Sequence, residues 1–123
     1  MEREIKFRGK DPKGGQVEGY YLQDLTQGEM RSYIFNCPCY WEVIPETVGQ
    51  FTGLLDKNGK EIWEHDIVDW DGVMLVVEFI DGRFCMQENY EDATLHDLFF
   101  ERNEINVIGN RFDNPELLKT EEP

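Results

Sequence analysis

Apolar and polar residues alternate along this chain in short runs, and glycine, asparagine, aspartate and proline separate the runs. Residues 3–8, Arg-Glu-Ile-Lys-Phe-Arg, put Ile5 and Phe7 on one side and Lys6 and Arg8 on the other. That is the period of a half-buried strand, with the first pair facing the core. Gly9 to Gly15 is a turn cluster. Val17–Leu22 resumes a strand, and residues 23–31, polar with one glycine, read as a loop. Short strands are expected at Tyr33–Phe35, at Tyr40–Ile44, where Pro45 stops it, and at Val48–Leu54, interrupted by Gly49 and Gly53. Asn58-Gly59 suits a type I′ hairpin turn, which needs positive φ at both central residues, with Leu54-Leu55 and Ile62-Trp63 as its arms.

The most apolar stretch follows. Ile67-Val68 opens it, and Val73–Ile80 predicts a strand covered on both faces. Asp81-Gly82 is a second hairpin signal, and Phe84–Gln87 returns. Residues 88–104 are open to two readings. Leu95, Leu98 and Phe99 sit at helical spacing with Asp92 as a cap, and a long charged loop competes. Ile105–Phe112 alternates again with Gly109 at a bulge, and Asn114-Pro115-Glu116 starts a short terminal helix through Lys119. The total is about eight short strands and at most two short helices, with no evident internal repeat. An all-β, mostly antiparallel fold follows: an N-terminal β layer over about 3–50 packed on a small barrel over about 51–112. One domain of 123 residues is expected, with a soft division near residues 45–52.

Composition adds a constraint. The net charge is −14, and it is lopsided. Residues 1–63 hold 8 Lys/Arg and 10 Asp/Glu, whereas residues 64–123 hold 4 and 16, a net of −12. Such a surface repels phosphate backbones, so direct nucleic-acid binding is disfavoured. It keeps a small protein dispersed, and it also suits an acidic mimic of nucleic acid seated in a partner's basic groove. The basic cluster Arg3, Lys6, Arg8, Lys10 and Lys13 reads as a partner for acidic residues rather than for phosphate. The charged start lacks the apolar core of a signal peptide, and no run approaches the ~18 apolar residues of a membrane span. Cys37, Cys39 and Cys85, odd in number, read as reduced thiols of a cytoplasmic protein.

Tests for chemistry return little. Counted as a calcium loop from Asp56, Asn58 fits the third position. Lys60, Glu61 and Ile67 then fail the fifth, sixth and twelfth. His65 and His96 with a cysteine lack zinc-site spacing, and His65 better suits a turn position with positive φ. Asp69 and Asp71 would share a face on a strand but lack a third acid there, and the solvent-facing rim of a turn ending at Gly72 is the better reading. Cys37-Pro38-Cys39 is shorter than a redox C-x-x-C pair, and Cys85 reads as a small core residue. No nucleotide-binding, nucleophile-elbow or zinc-protease motif is present. The expectation is therefore no catalytic residue, no metal and no cofactor. The leading function is a non-enzymatic module that binds a protein partner, with homo-oligomerisation through sheet edges as a further expectation. Acidic mimicry is one alternative, and a small metal-dependent hydrolase using His65, Asp66, Asp69 and Asp71 is the other.

Three segments carry a resemblance. They are Arg3-Glu4-Ile5-Lys6-Phe7-Arg8-Gly9-Lys10, the run from Glu46 to Ile62 containing Gly-Gln-Phe-Thr-Gly-Leu-Leu-Asp-Lys-Asn-Gly-Lys-Glu-Ile, and Val107-Ile108-Gly109-Asn110 with Asn114-Pro115-Glu116-Leu117-Leu118. In order and spacing, from Arg3 to Leu118, the chain resembles the YopX family of phage and prophage proteins of Gram-positive bacteria. The resemblance implies an all-β fold with an SH3-like barrel, a prophage origin and a bacterial cytoplasm. It carries over no activity and no functional residues. The chain departs from the family at His65, where glycine is usual, which puts the turn geometry there in question.

Overall fold

The structure, a computed structural model, describes residues 4–88 and 93–118. The chain divides into two compact units, Met1–Phe51 and Thr52–Pro123. In the first unit the strands are β1 (Phe7–Lys10), β2 (Gln16–Thr26), β3 (Glu29–Asn36), β4 (Cys39–Val43) and the start of β5 (Gly49–Leu55). They hydrogen-bond in the order β4-β3-β2-β1-β5. β5 runs on into the second unit, where it lies beside β6 (Glu61–Trp63). There β7 (Asp66–Trp70), β8 (Val73–Ile80), β9 (Arg83–Gln87), β10 (His96–Asp97) and β11 (Ile105–Asn110) form a sheet in the order β10-β9-β8-β7-β11. Every recorded pairing is antiparallel. The all-β fold is as the alternation predicts. The barrel is not closed by pairing among the described residues, because β10 and β11 are the two ends of an open order.

The second unit's core follows from register. Val107 pairs with Val68, and Val68 with Leu75, so one row of side chains crosses β11, β7 and β8. Val77 pairs with Met86 on the same face, and Ile62, Leu98 and Ile105 complete a fully buried cluster. Ile67 and Val76, paired on the opposite face, are buried too, so the middle of β8 is covered on both faces as its continuous apolar run implies. The coverage ends at Phe79, which is 52% exposed.

Turn chemistry explains the hairpins, with one correction. Gln27-Gly28, Asp71-Gly72 and Asp81-Gly82 are two-residue turns with both residues at positive φ, as type I′ requires. Asn58-Gly59 is not among them, because only Gly59 (φ 80°) lies in the left-handed region. The loop there is one residue longer. The Asp56 N–H donates to the Lys60 carbonyl at 2.8 Å and the Gly59 N–H to the Asp56 carbonyl at 3.0 Å. The Asp56 side chain decides this, since its Oδ1 accepts from the Asn58 and Lys60 amides at 2.8 and 2.9 Å. The turn after β1 repeats the pattern atom for atom. The Asp11 N–H donates to the Gly15 carbonyl, Gly14 (φ 88°) donates to the Asp11 carbonyl, and Asp11 Oδ1 accepts from Lys13 and Gly15. Asp-x-x-Gly-x is thus used twice, a short local repeat hidden by different residues between the aspartate and the glycine.

Three further expectations change. Residues 23–31 are not a loop, because β2 and β3 run on to the Gln27-Gly28 turn with Leu25 paired to Met30. Cross-strand pairing overrides the polar local sequence there. Ile5 precedes the first residue of β1 and is 56% exposed rather than in the core. In 88–104 the described part holds β10, a single helical turn α1 (Leu98–Glu101) and a 3₁₀ turn. Asp97 Oδ1 accepts the Phe99 N–H, the capping role expected of Asp92, which lies outside the described residues. The bulge expected at Gly109 is present as a register shift between Val107 and Gly109. A Cβ at Gly109 would collide with Asn114 Oδ1, the oxygen that accepts the Asn110 N–H. A 3₁₀ turn, Pro115–Leu118, follows as the last described element.

Asp56 generates the first prediction. It is buried, and its second oxygen accepts the Val107 amide at 2.8 Å, tying the β5–β6 hairpin to β11. Burial alone would raise its pKa. The Val107, Lys60 and Asn58 amides, with the Lys60 charge, outweigh burial and hold it below the ordinary aspartate value. A depressed folded-state pKa stabilises the fold above the unfolded value, and that stabilisation is lost as pH falls through the depressed one. Asp56→Asn leaves at least one of three amides facing an N–H₂ group and is expected to cost ~2–4 kcal/mol in urea unfolding at neutral pH. It should also flatten the acid limb of stability. Asp11→Asn, whose contacts are exposed, is expected to cost less than ~1 kcal/mol.

Candidate functional site

The structure draws together one titratable cluster that includes a sequence candidate. Glu64 and His65 form the turn between β6 and β7, Glu78 lies on β8, and Arg111 follows β11. His65 sits at φ 77°, a left-handed conformation that costs a non-glycine residue on the order of 1 kcal/mol. Two backbone bonds hold it there. Its N–H donates to the Val77 carbonyl at 2.7 Å, and its carbonyl accepts the Arg111 N–H at 3.0 Å. The fixed backbone aims the ring at Glu78, with Nδ1 3.2 Å from Oε2, while Nε2 is 4.0 Å from Glu64 Oε2. The Arg111 guanidinium reaches Glu78 Oε1 at 2.6 Å, and the Phe112 ring meets the imidazole edge-on at 5.1 Å.

Glu78 is the centre of this network. Burial would raise its pKa, but the hydrogen bonds and charges of His65 and Arg111 win and hold it below the ordinary glutamate value. Glu64, His65 and Glu78 each offer a ligand atom within 4.8 Å of one another, the three-ligand set of a catalytic zinc site. Two observations weigh against a metal role. Arg111 already occupies one Glu78 oxygen, and the imidazole addresses the two carboxylates through different nitrogens. The arrangement sets the His65 ring between two carboxylates, in a network that joins β8 to the His65 turn and to Arg111.

The other sequence candidates do not converge. Asp66 is buried and its Oδ2 accepts the Trp63 N–H at 2.8 Å. Asp69 Oδ1 accepts the Gly72 N–H, closing the Asp71-Gly72 turn. Asp71 lines a hollow of about 320 Å³ with Lys57, Trp70 and Glu104. His96 packs edge-on against Trp70 at 4.7 Å. Cys37 and Cys39 are exposed on either side of the cis Cys37–Pro38 peptide, and Cys85 is buried. The cluster that does form uses Glu64, Glu78 and Arg111, none of them single in the sequence. Histidine at a turn position was the one available signal.

A second feature was not legible as a site. On one face of the first unit's sheet, Tyr20, Phe35 and Tyr40 stand in register across β2, β3 and β4. Leu22, Tyr33 and Glu42 form the next row, and Asp24 and Arg31 the third. Tyr20 is 68% and Tyr40 62% exposed, and the Phe35 and Tyr40 rings lie 4.6 Å apart. Lys6, Glu18, Tyr20, Phe35 and Cys37 line a shallow hollow of about 380 Å³ at the end of the aromatic row. Single aromatics were visible in the sequence, but their alignment needed the β2–β3 register, hidden by the polar stretch 23–31.

These features define a small, all-β protein of two compact units, with an ion network in one and an exposed aromatic sheet face in the other. The sequence profile of the YopX protein family matches residues 6–119, and the chain belongs to that family. Among solved structures it is similar to protein EF1440 from Enterococcus faecalis. The two share 25% identity over 96% of this chain and 100% of that one, with a TM-score of 0.59. It is also similar in fold to yopX from Bacillus subtilis, with 20% identity, 95% and 98% coverage and a TM-score of 0.54. No curated protein matches the chain. No helix among the described residues is long and apolar enough to cross a membrane.

The network predicts a contrast between two substitutions. Glu78→Gln leaves His65 and Arg111 without their shared anion and is expected to cost about 1–3 kcal/mol at neutral pH. Because the Glu78 pKa is depressed, its stabilisation is present above the ordinary glutamate range and fades as pH falls through the depressed value. The variant should therefore lose part of the wild type's acid dependence. His65→Gly relieves the left-handed strain while losing one charged contact. Its stability at neutral pH should stay within about 1 kcal/mol of wild type in urea unfolding.

Proposed function

We propose that this YopX-family chain is a non-enzymatic accessory module of a phage or prophage that binds a protein partner in the bacterial cytoplasm. The exposed row Tyr20–Phe35–Tyr40, with Tyr33 and Leu22 beside it, carries this reading. Exposed aromatics cost solubility when left in water, and aromatic side chains are the preferred anchors of protein interfaces. The shallow hollow beside Tyr20 gives a partner's side chain a place to seat. The sequence-proposed alternative of a hydrolase built on residues 65–71 gains no support, because Asp66 and Asp69 are committed to backbone amides and His65 to Glu78.

One observation favours a second reading of the partner. Residues 64–123 carry a net charge of −12, with Asp71, Asp81, Glu104, Asp113 and Glu116 exposed. A protein that normally grips nucleic acid would meet in this surface an imitation of its ligand.

Affinity capture from host lysate distinguishes the two. The aromatic face predicts a stoichiometric partner that is lost with Tyr20→Ser/Tyr40→Ser, retained at high salt, with the variant's unfolding midpoint unchanged. Mimicry predicts a nucleic-acid-binding partner that survives this double substitution and dissociates steeply as salt rises. Repeated absence of a stoichiometric partner at low salt removes both.

A further inference from the structure

Among the described residues β4 is an end of its sheet's pairing order, with β3 on one side. At its C-terminal end the Ile44 N–H donates to the Lys10 carbonyl of β1 at 2.8 Å, which leaves the stretch Cys39–Glu42 as the open edge. Its sequence is Cys39-Tyr40-Trp41-Glu42-Val43, and the first four residues are exposed. Proteins that expose a strand edge usually protect it with lysine, proline, a bulge or a very short strand. β4 has no lysine and no proline, and its register with β3 is unbroken from Ser32↔Val43 to Asn36↔Cys39. Alternate backbone groups along such a strand point away from the neighbour it already has and offer a ready ladder.

The geometry points to β4 of a second copy of this chain as the occupant of that edge, paired antiparallel about Trp41. The strand complements itself in that arrangement. With Trp41 opposite Trp41, each Tyr40 lies opposite the other copy's Glu42, a phenol donor facing a carboxylate. Cys39 falls opposite Val43, whose side chain is already buried beside Gly9 of its own copy, so the self-complementary pairs are Trp41 with Trp41 and Tyr40 with Glu42. Side chains on each face match in kind, which cross-strand pairing rewards. Aromatic pairing at the centre places the largest apolar group at the two-fold axis, where an isologous interface concentrates its burial.

Charge selects the same place. Two chains of net −14 repel, and association must occur where the repulsion is least. Residues 1–51 hold 6 Lys/Arg and 8 Asp/Glu, whereas residues 52–123 hold 6 and 18. On β4 the only charge is Glu42, and Arg31 lies 3.5 Å from it. A sheet extended this way doubles the aromatic face. The row Tyr20–Phe35–Tyr40 of one copy continues into Glu42, Tyr33 and Leu22 of the other. Self-association stands apart from the hetero-partner reading and needs no host protein.

Light scattering of the 123-residue chain, from micromolar to submillimolar concentration, is expected to show twice 14.5 kDa, with the dimer favoured as salt screens the acidic halves. Trp41→Lys sets two like charges at the axis and should shift the dimerisation midpoint roughly tenfold or more to higher concentration. In the wild type, hydrogen exchange over residues 39–43 should slow as concentration rises, a reading that needs no variant. A wild type that stays at 14.5 kDa throughout overturns the inference. So does a dimer whose 39–43 amides show no concentration-dependent protection, or one that Trp41→Lys, folded by circular dichroism, leaves unchanged. Because it uses purified chain alone, this experiment fails or succeeds independently of lysate capture.

Discussion

A single buried carboxylate sets the geometry of the second unit. Asp56 takes two amides of its own hairpin through one oxygen and the Val107 amide, 51 residues away, through the other. A neutral side chain of the same size cannot do this, since an amide offers one acceptor oxygen and an N–H₂ that repels donors. The Lys57 N–H adds a bond to the Ile105 carbonyl beside it. The hairpin is thereby fixed against β11 at the edge where Ile105 and Val107 enter the core. Burying the charge is unfavourable in itself, and three amide donors offset it. Asp11 builds the same local loop without the long-range amide, so the loop recurs while the anchoring role does not.

The two sites of clustered charge in this unit follow one logic at different depths. At Asp56 the compensating donors are backbone amides, which do not titrate. At Glu78 they are His65 and Arg111, which are side chains and can be replaced. Both segments that bracket the Glu78 network, the His65 turn and Arg111 after β11, are joined to each other by a backbone hydrogen bond. A positive-φ histidine is tolerated there because two backbone bonds over-determine its position. A glycine at position 65 would relax that backbone but supply nothing for Glu78.

Legibility in the sequence tracked how local the deciding interaction was. The continuous apolar run Val73–Ile80 and the alternation of Ile105–Asn110 displayed strands because burial acts on each residue separately. Asp81-Gly82 displayed its turn because two residues determine it. Asn58-Gly59 misled, since a carboxylate two residues earlier sets a longer loop. Residues 23–31 misled because their strand character comes from pairing, Leu25 with Met30 and Asp24 with Arg31, and not from their own polarity. The Glu64–His65–Glu78–Arg111 network and the Tyr20–Phe35–Tyr40 row were illegible for one shared reason. Each joins residues whose proximity is a product of register, and no spacing rule in one dimension encodes register.

The distribution of charge constrains function more tightly than any cluster does. Of the net −14, residues 52–123 contribute −12 with a core of branched aliphatics beneath them. Residues 1–51 are near neutral and display the aromatic rows and the unprotected β4 edge. Fixed negative charge deters contact with other anionic macromolecules, whereas exposed aromatic surface invites contact. A chain that needed only to stay dispersed would gain by placing more acid over the aromatic face. That face carries Glu42 and Asp24, with Arg31 opposite Asp24 and 3.5 Å from Glu42, while most of the net negative charge lies in the other unit. On the proposed aromatic-face reading, an anionic partner would meet less repulsion approaching through β2, β3 and β4 than through the acidic unit.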